Sequence, residues 1–176
     1  MKQIVTAALI AAALLAVAGC GKGISKAEAL RFNDALADAN NRIGKAGTAF
    51  SEAAGAAVGG GIIEVGKAKR EYENITDAVS RAAGDVRSLK VPESPAAKAF
   101  YNEYQALLTK QESMVKEDLR LILKALEDPL LTPQQRMAKI RPIAGYLGSL
   151  DRDEVSNVKR AQQAFAKEQG FELKSK

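Results

Sequence analysis

Side chains suited to catalysis are few in this chain of 176 residues. The sequence contains no histidine and one cysteine, Cys20, which excludes a histidine general base, a Ser-His-Asp triad and a zinc site built from several cysteines. Two serines precede basic residues, at Ser25-Lys26 and Ser80-Arg81. Adjacent helical residues point about 100° apart, so neither pair predicts an activated nucleophile. We therefore expect a protein that is not an enzyme and has no cofactor.

A short acidic cluster, Asp151, Asp153 and Glu154, has the residue types of a divalent-cation site. Its spacing differs from that of an EF-hand loop. Acidic residues are also stabilised at the start of a helix by the helix dipole. We interpret the cluster as the start of a helix rather than as a metal site.

Two polar residues, Gln111 and Asp118, lie on or beside the apolar stripe of a predicted helix. A buried polar group without a partner costs about 1–3 kcal/mol, so each needs a hydrogen-bond partner or a ligand. Pairing with a neighbouring helix, which fixes the helix register, is the favoured interpretation. A role in ligand binding or acid–base chemistry is the alternative.

The N-terminus has the pattern of an export signal. Lys2 precedes an uncharged, mostly apolar run over residues 4–18. This run is shorter than the ~20 apolar residues of a transmembrane helix and has the length of a signal-peptide core. It ends at Val17-Ala18-Gly19-Cys20, where small residues directly precede the cysteine.

This arrangement resembles the lipobox of bacterial lipoproteins. The resemblance implies cleavage between Gly19 and Cys20 and attachment of acyl chains to Cys20. Two or three acyl chains anchor a protein stably, whereas one is marginal. Gly21 stands where an aspartate retains enterobacterial lipoproteins in the inner membrane, so the resemblance favours the outer membrane, with the protein facing the periplasm. The alternatives are an ordinary secretory signal or an uncleaved anchor.

The remaining chain predicts long amphipathic helices. Apolar residues recur in steps of three and four from Phe32 to Ala57 and from Val65 to Leu89, and paired apolar residues recur between Phe100 and Leu126. A fourth patterned segment follows Thr132-Pro133, a helix cap with proline at the first helical position. No segment shows convincing strand-type alternation. We predict an all-α fold, an antiparallel four-helix bundle.

Glycine and proline mark the joints of this bundle. Gly59-Gly60-Gly61 predicts a turn between two antiparallel helices, and Pro92 and Pro95 separate the second helix from the third. The fourth helix is expected to be kinked or split, by Pro142 and by a bend at Gly148-Ser149. The predicted parts are a signal peptide (1–19), a lipidated tether (20–25), the bundle (26–170) and a tail (171–176).

Three functions remain open. The preferred hypothesis is a membrane-anchored, non-enzymatic structural or protein-interaction module of the cell envelope, with an envelope protein as its partner. The alternatives are a bundle that binds a small molecule or lipid, and a tether from the outer membrane to peptidoglycan through the terminal Lys176. The net charge of +5 is spread along the chain, so we expect no nucleic-acid partner. Heptad patterns also suit dimers, which leaves homo-oligomerisation open.

Overall fold

The computed structural model describes residues 24–173, except for the side chains of residues 148–153. Over this range the chain is all-helical, and five α-helices pack together without a strand. The all-α prediction is confirmed. Gly19, Cys20 and Lys176 lie outside the described residues, as do the predicted cleavage and linkage sites.

The first two helices form a hairpin. Helix α1 (Lys26–Gly59) begins with a capping box: the Ser25 hydroxyl accepts from the Glu28 amide, and the Glu28 carboxylate accepts from the Ser25 amide. Helix α2 (Ile62–Ser88) follows after two residues, so the predicted glycine turn is confirmed. A Cβ on Gly60 would lie 2.6 Å from the Glu64 Cβ and 2.9 Å from the Ala56 carbonyl oxygen, which explains why this turn requires glycine.

The third segment contains an irregular turn. Helix α3 (Pro95–Met114) begins with Ser94 as its cap and continues through a π-helical turn, Val115–Leu119, into helix α4 (Arg120–Glu127). A π turn accommodates one extra residue and so shifts every later residue around the helix axis. If the helix were regular, the three-and-four spacing of core positions after Gln111 would place Asp118 and Leu121 on the stripe that faces the core. The structure instead buries Leu119 and Ile122 and leaves Leu121 exposed.

The last helix, α5 (Pro133–Gln169), is continuous. Its predicted cap at Thr132 is confirmed, and Gln135 completes a capping box there. The helix ends at Gly170, the last residue of the predicted bundle, which adopts the left-handed conformation with φ 64°. The predicted division at Gly148-Ser149 is wrong. A glycine inside a helix costs only about 1 kcal/mol, and side chains on both sides of the bend position pack against the core, including Ile143 and Phe165. Pro142 also lies within this helix.

Two pairs of packed helices, α1 with α2 and α3 with α5, run in opposite directions. Phe50 contacts Tyr72 and Arg42 pairs with Asp85, so α1 and α2 are antiparallel. Phe100 lies against Phe165 and Lys110 pairs with Glu154, so α3 and α5 are antiparallel as well.

The end of the domain at which α1 begins has an aromatic core. The rings of Phe32, Phe100 and Phe165 are in mutual contact, with centroids 5.6–6.1 Å apart. Phe171 packs edge-on against Phe165 and is buried, so the packed part of the chain extends past Gly170. Ile24 packs against the same core, which places the start of the described chain at this end.

Candidate functional site

A cavity of about 170 Å³ lies between α3 and α5 and contains both polar residues that the sequence singled out. We call it the α3–α5 pocket. Its walls include Leu107, Lys110, Gln111, Met114, Asp118 and Glu154. The helices position these side chains because Phe100–Phe165 and Lys110–Glu154 fix the register of α3 against α5.

Gln111 is the most buried polar group of the pocket, with 9% of its surface exposed. Its side-chain oxygen, Oε1, is buried and has no hydrogen-bond partner among the described residues. This oxygen therefore does not make the hydrogen bond to a neighbouring helix that the favoured interpretation predicted for Gln111. A buried acceptor without a partner destabilises the fold, so Gln111 is a candidate for contact with a ligand.

Lys110 and Glu154 form an ion pair across the pocket. The Lys110 ammonium donates to the Glu154 Oε1, and this hydrogen bond lowers the pKa of the Glu154 carboxyl from its ordinary value. The second oxygen, Oε2, is buried and accepts no hydrogen bond from the part of the chain that the structure describes. Glu154 therefore carries its negative charge at neutral pH and presents one unused acceptor atom.

Asp118 lies in the π turn and is half-buried. The extra residue of this turn brings Leu119 into the core, while Asp118 lies at the pocket. Asp118 thus lies at the edge of the apolar stripe, which agrees with the expectation that it lies at or beside this stripe. π turns within α-helices are frequent at functional sites.

The acidic cluster is not the start of a helix, because α5 continues through it. Glu154 instead pairs with Lys110, 44 residues away in sequence. Within the part of the chain that the structure describes, no group of three acidic, histidine or cysteine side chains is arranged to hold a metal ion.

A second polar pair was not anticipated from the sequence. The Gln162 amide donates to the Asn33 Oδ1 at 2.8 Å, and Asn33 is buried. This hydrogen bond joins α5 to α1 beside the aromatic core. Nothing in the local sequence around Asn33 indicates such a partner.

Two short motifs have catalytic spacing without catalytic geometry. Two pairs, Ser113 with Lys116 and Ser156 with Lys159, have the Ser-x-x-Lys spacing of some acyl-transfer enzymes, but all four residues are exposed, whereas a lysine base requires desolvation. Gly61 to Lys67 follows the first seven positions of a phosphate-binding loop, but Ala68 replaces the serine or threonine. Residues 62–67 are helical rather than a loop.

A larger groove of about 600 Å³ lies at the end of the domain where α1 begins. It is lined by Ile24, Phe32, Leu89 and Val91, together with charged side chains such as Arg31 and Lys90. The predicted tether joins the domain beside this groove.

No protein-family model matches the chain, and no curated protein or solved structure matches it significantly. Over residues 24–173, none of the helices combines the length and apolarity needed to cross a membrane.

Proposed function

We propose that the protein is a lipid-anchored, non-enzymatic interaction module of the bacterial cell envelope, held in the outer membrane and facing the periplasm. The observation that carries this proposal is the lipobox-like Val17-Ala18-Gly19-Cys20, which is separated from the Ser25 cap of α1 by only Gly21-Lys22-Gly23-Ile24. An extended chain spans at most about 3.6 Å per residue, so the helical domain starts within about 20 Å of the lipidated residue.

The fold of this module is an antiparallel four-helix bundle in our proposal, with α3, the π turn and α4 acting as one long helix and Pro142 kinking the fourth. The opposed contacts of α1 with α2 and of α3 with α5 support this arrangement. In it, the glycine turn and the α4–α5 loop lie at the same end. Phe32 of α1 and Phe100 of α3 are in contact. The helices end an equal distance beyond this contact, because Gly59 follows Phe32 by 27 residues and Glu127 follows Phe100 by 27.

An exposed group of aliphatic side chains at that end supports an interaction function. Ile62, Ile63 and Leu130 are 92%, 71% and 87% exposed, and we call them the apolar tip. A rise of 1.5 Å per residue places the tip about 40 Å beyond the aromatic core and thus far from the anchor. Exposed clusters of large apolar residues are typical of protein–protein contacts.

The anchor is tested by replacing Cys20 with alanine in the full chain. We expect the wild-type protein in the outer-membrane fraction and the Cys20→Ala protein in the soluble periplasmic fraction. A Cys20→Ala protein that stays with the membrane would contradict lipid anchoring.

The tip is tested by crosslinking in intact cells followed by purification of the tagged protein. We expect one stoichiometric envelope partner with the wild-type chain, and its loss with an Ile62→Ser/Ile63→Ser double variant. Val155→Ser is the matched control, because Val155 is an exposed aliphatic residue in α5, outside the tip. Equal recovery of the partner with the tip variant would exclude the tip as the contact.

Binding of a small molecule is the second candidate function. The buried Gln111 Oε1 favours it, because this acceptor faces the pocket and no described protein group donates to it. This function is compatible with lipid anchoring and is tested separately.

A further inference from the structure

The α3–α5 pocket combines two unused hydrogen-bond acceptors, an excess of carboxylates and an apolar wall. We propose that it binds a small aliphatic amine in its ammonium form, with the charged nitrogen donating to the Gln111 Oε1 and the Glu154 Oε2. This inference rests on the small-molecule-binding candidate and is independent of the lipid anchor.

The two acceptors select for a ligand with N–H donors. Gln111 Oε1 and Glu154 Oε2 are both buried, and no donor in residues 24–147 or 154–173 reaches either of them. A carboxylate oxygen only accepts hydrogen bonds, so a ligand carboxylate or phosphate would leave Glu154 unsatisfied and would repel it. An ammonium group carries three donors and no acceptor, and it therefore matches both oxygens.

The charges around the pocket favour a cation. Among the described side chains that line the pocket, Glu117, Asp118 and Glu154 contribute three carboxylates, against the ammonium of Lys110. That ammonium already donates to the other oxygen of Glu154. A positively charged ligand reduces the remaining repulsion among the carboxylates, whereas an anion increases it.

Size and shape favour a short alkyl chain. The cavity volume of about 170 Å³ is below the ~300–1,000 Å³ of pockets for drug-sized ligands. Leu107 and Met114 supply apolar surface beside the acceptors, and the thioether of methionine adapts to ligands of different shapes. A linear diamine has an alkyl chain for this wall and a second ammonium for Asp118.

The π turn at Val115–Leu119 contributes Asp118 to the wall of the pocket. Its extra residue brings Leu119 into the core while Asp118 stays at the pocket. Asp118 is therefore present at the pocket without being buried in the core.

Isothermal titration of the full chain in a non-ionic detergent with 1,4-diaminobutane tests the proposal. We expect saturable binding of one diamine per chain, and no binding of 1,4-butanediol, which has the same length without charge. Absence of saturable heat up to about 10 mM diamine, or equal binding of the diol, overturns the proposal.

Variants then locate the binding site. Gln111→Leu and Glu154→Gln are each expected to raise the dissociation constant at least about tenfold, which corresponds to about 1.4 kcal/mol. Glu112→Gln is the matched control, because Glu112 lies next to Gln111 but pairs with Arg87 of α2, outside the pocket. Its affinity is expected to equal that of the wild type.

The outcomes separate this proposal from the others. A loss of affinity in Glu112→Gln equal to that in Glu154→Gln would indicate nonspecific charge attraction and overturn the site. Circular dichroism of each variant confirms that the helices are retained. Release of the Cys20→Ala chain from the membrane bears on the anchor alone, so the two proposals fail independently.

Discussion

The same substitution, glutamine to leucine, is expected to have opposite effects on stability at two positions. At Gln111, the side-chain oxygen is buried without a partner in a residue that is 9% exposed. Such a group costs about 1–3 kcal/mol, and leucine of similar size removes it. We therefore expect Gln111→Leu to raise the free energy of unfolding by about 1–3 kcal/mol.

At Gln162, the amide donates to the Oδ1 of Asn33, which is 7% exposed. Gln162→Leu removes this donor and leaves the Asn33 oxygen buried without a partner. We expect a decrease of about 1–3 kcal/mol in the free energy of unfolding. The two variants should thus differ by at least about 2 kcal/mol, although they carry the same chemical change.

Urea unfolding followed by circular dichroism measures both effects under identical conditions. A change in the midpoint with an unchanged slope reports stability, whereas a changed slope reports a change in the surface exposed on unfolding. The reasoning is refuted if Gln111→Leu destabilises the protein, because its oxygen would then have a stabilising partner within the fold. It is also refuted if both variants shift the midpoint in the same direction.

Three further predictions concern the turn, the C-terminal end and the ion pair. Gly60→Ala should lower the free energy of unfolding by about 1–3 kcal/mol because its Cβ would meet the Ala56 carbonyl, whereas Gly59→Ala, with open space around it, should not; thermal unfolding compares them. Phe171→Ala should cost up to about 3 kcal/mol by removing the edge contact with Phe165, whereas the exposed Glu172→Ala should stay within about 0.5 kcal/mol of the wild type in urea unfolding. The Lys110 hydrogen bond lowers the pKa of Glu154 below 4.5, so its stabilising effect is present above pH 4.5 and disappears as the pH falls through the lowered value. The stability difference between wild type and Glu154→Gln should therefore shrink on acidification below pH 4.5, and a constant difference would argue against the ion pair.

The ends of the helices were predictable from the sequence because their causes are local. The capping boxes at Ser25 and Thr132 each involve residues three positions apart, and Gly170 ends α5 through its own backbone conformation. The break at Gly59-Gly60-Gly61 likewise follows from the helix propensity of glycine. The apolar periodicity also identified most core positions of α1 and α2, including Leu36 and Val79.

The candidate site was predictable only in part. The interruption of the apolar stripe by Gln111 marked this residue as unusual, and the structure places it in the pocket. The pairing of Lys110 with Glu154 was not predictable, because it joins residues 44 positions apart. Glu154 was interpreted as part of a helix start, since the acidic cluster follows a glycine and a serine.

The sequence by itself determined the capped starts of α1 and α5, the glycine turn and the apolar faces of α1 and α2, because capping, turn formation and periodicity depend on neighbours within a few residues. Only the tertiary structure decided how the helices are registered against one another. Packing kept α5 continuous through Gly148-Ser149 and accommodated the π turn that brings Leu119 into the core beside Asp118. These features depend on contacts between distant segments, whose free energy outweighs a local preference of about 1 kcal/mol.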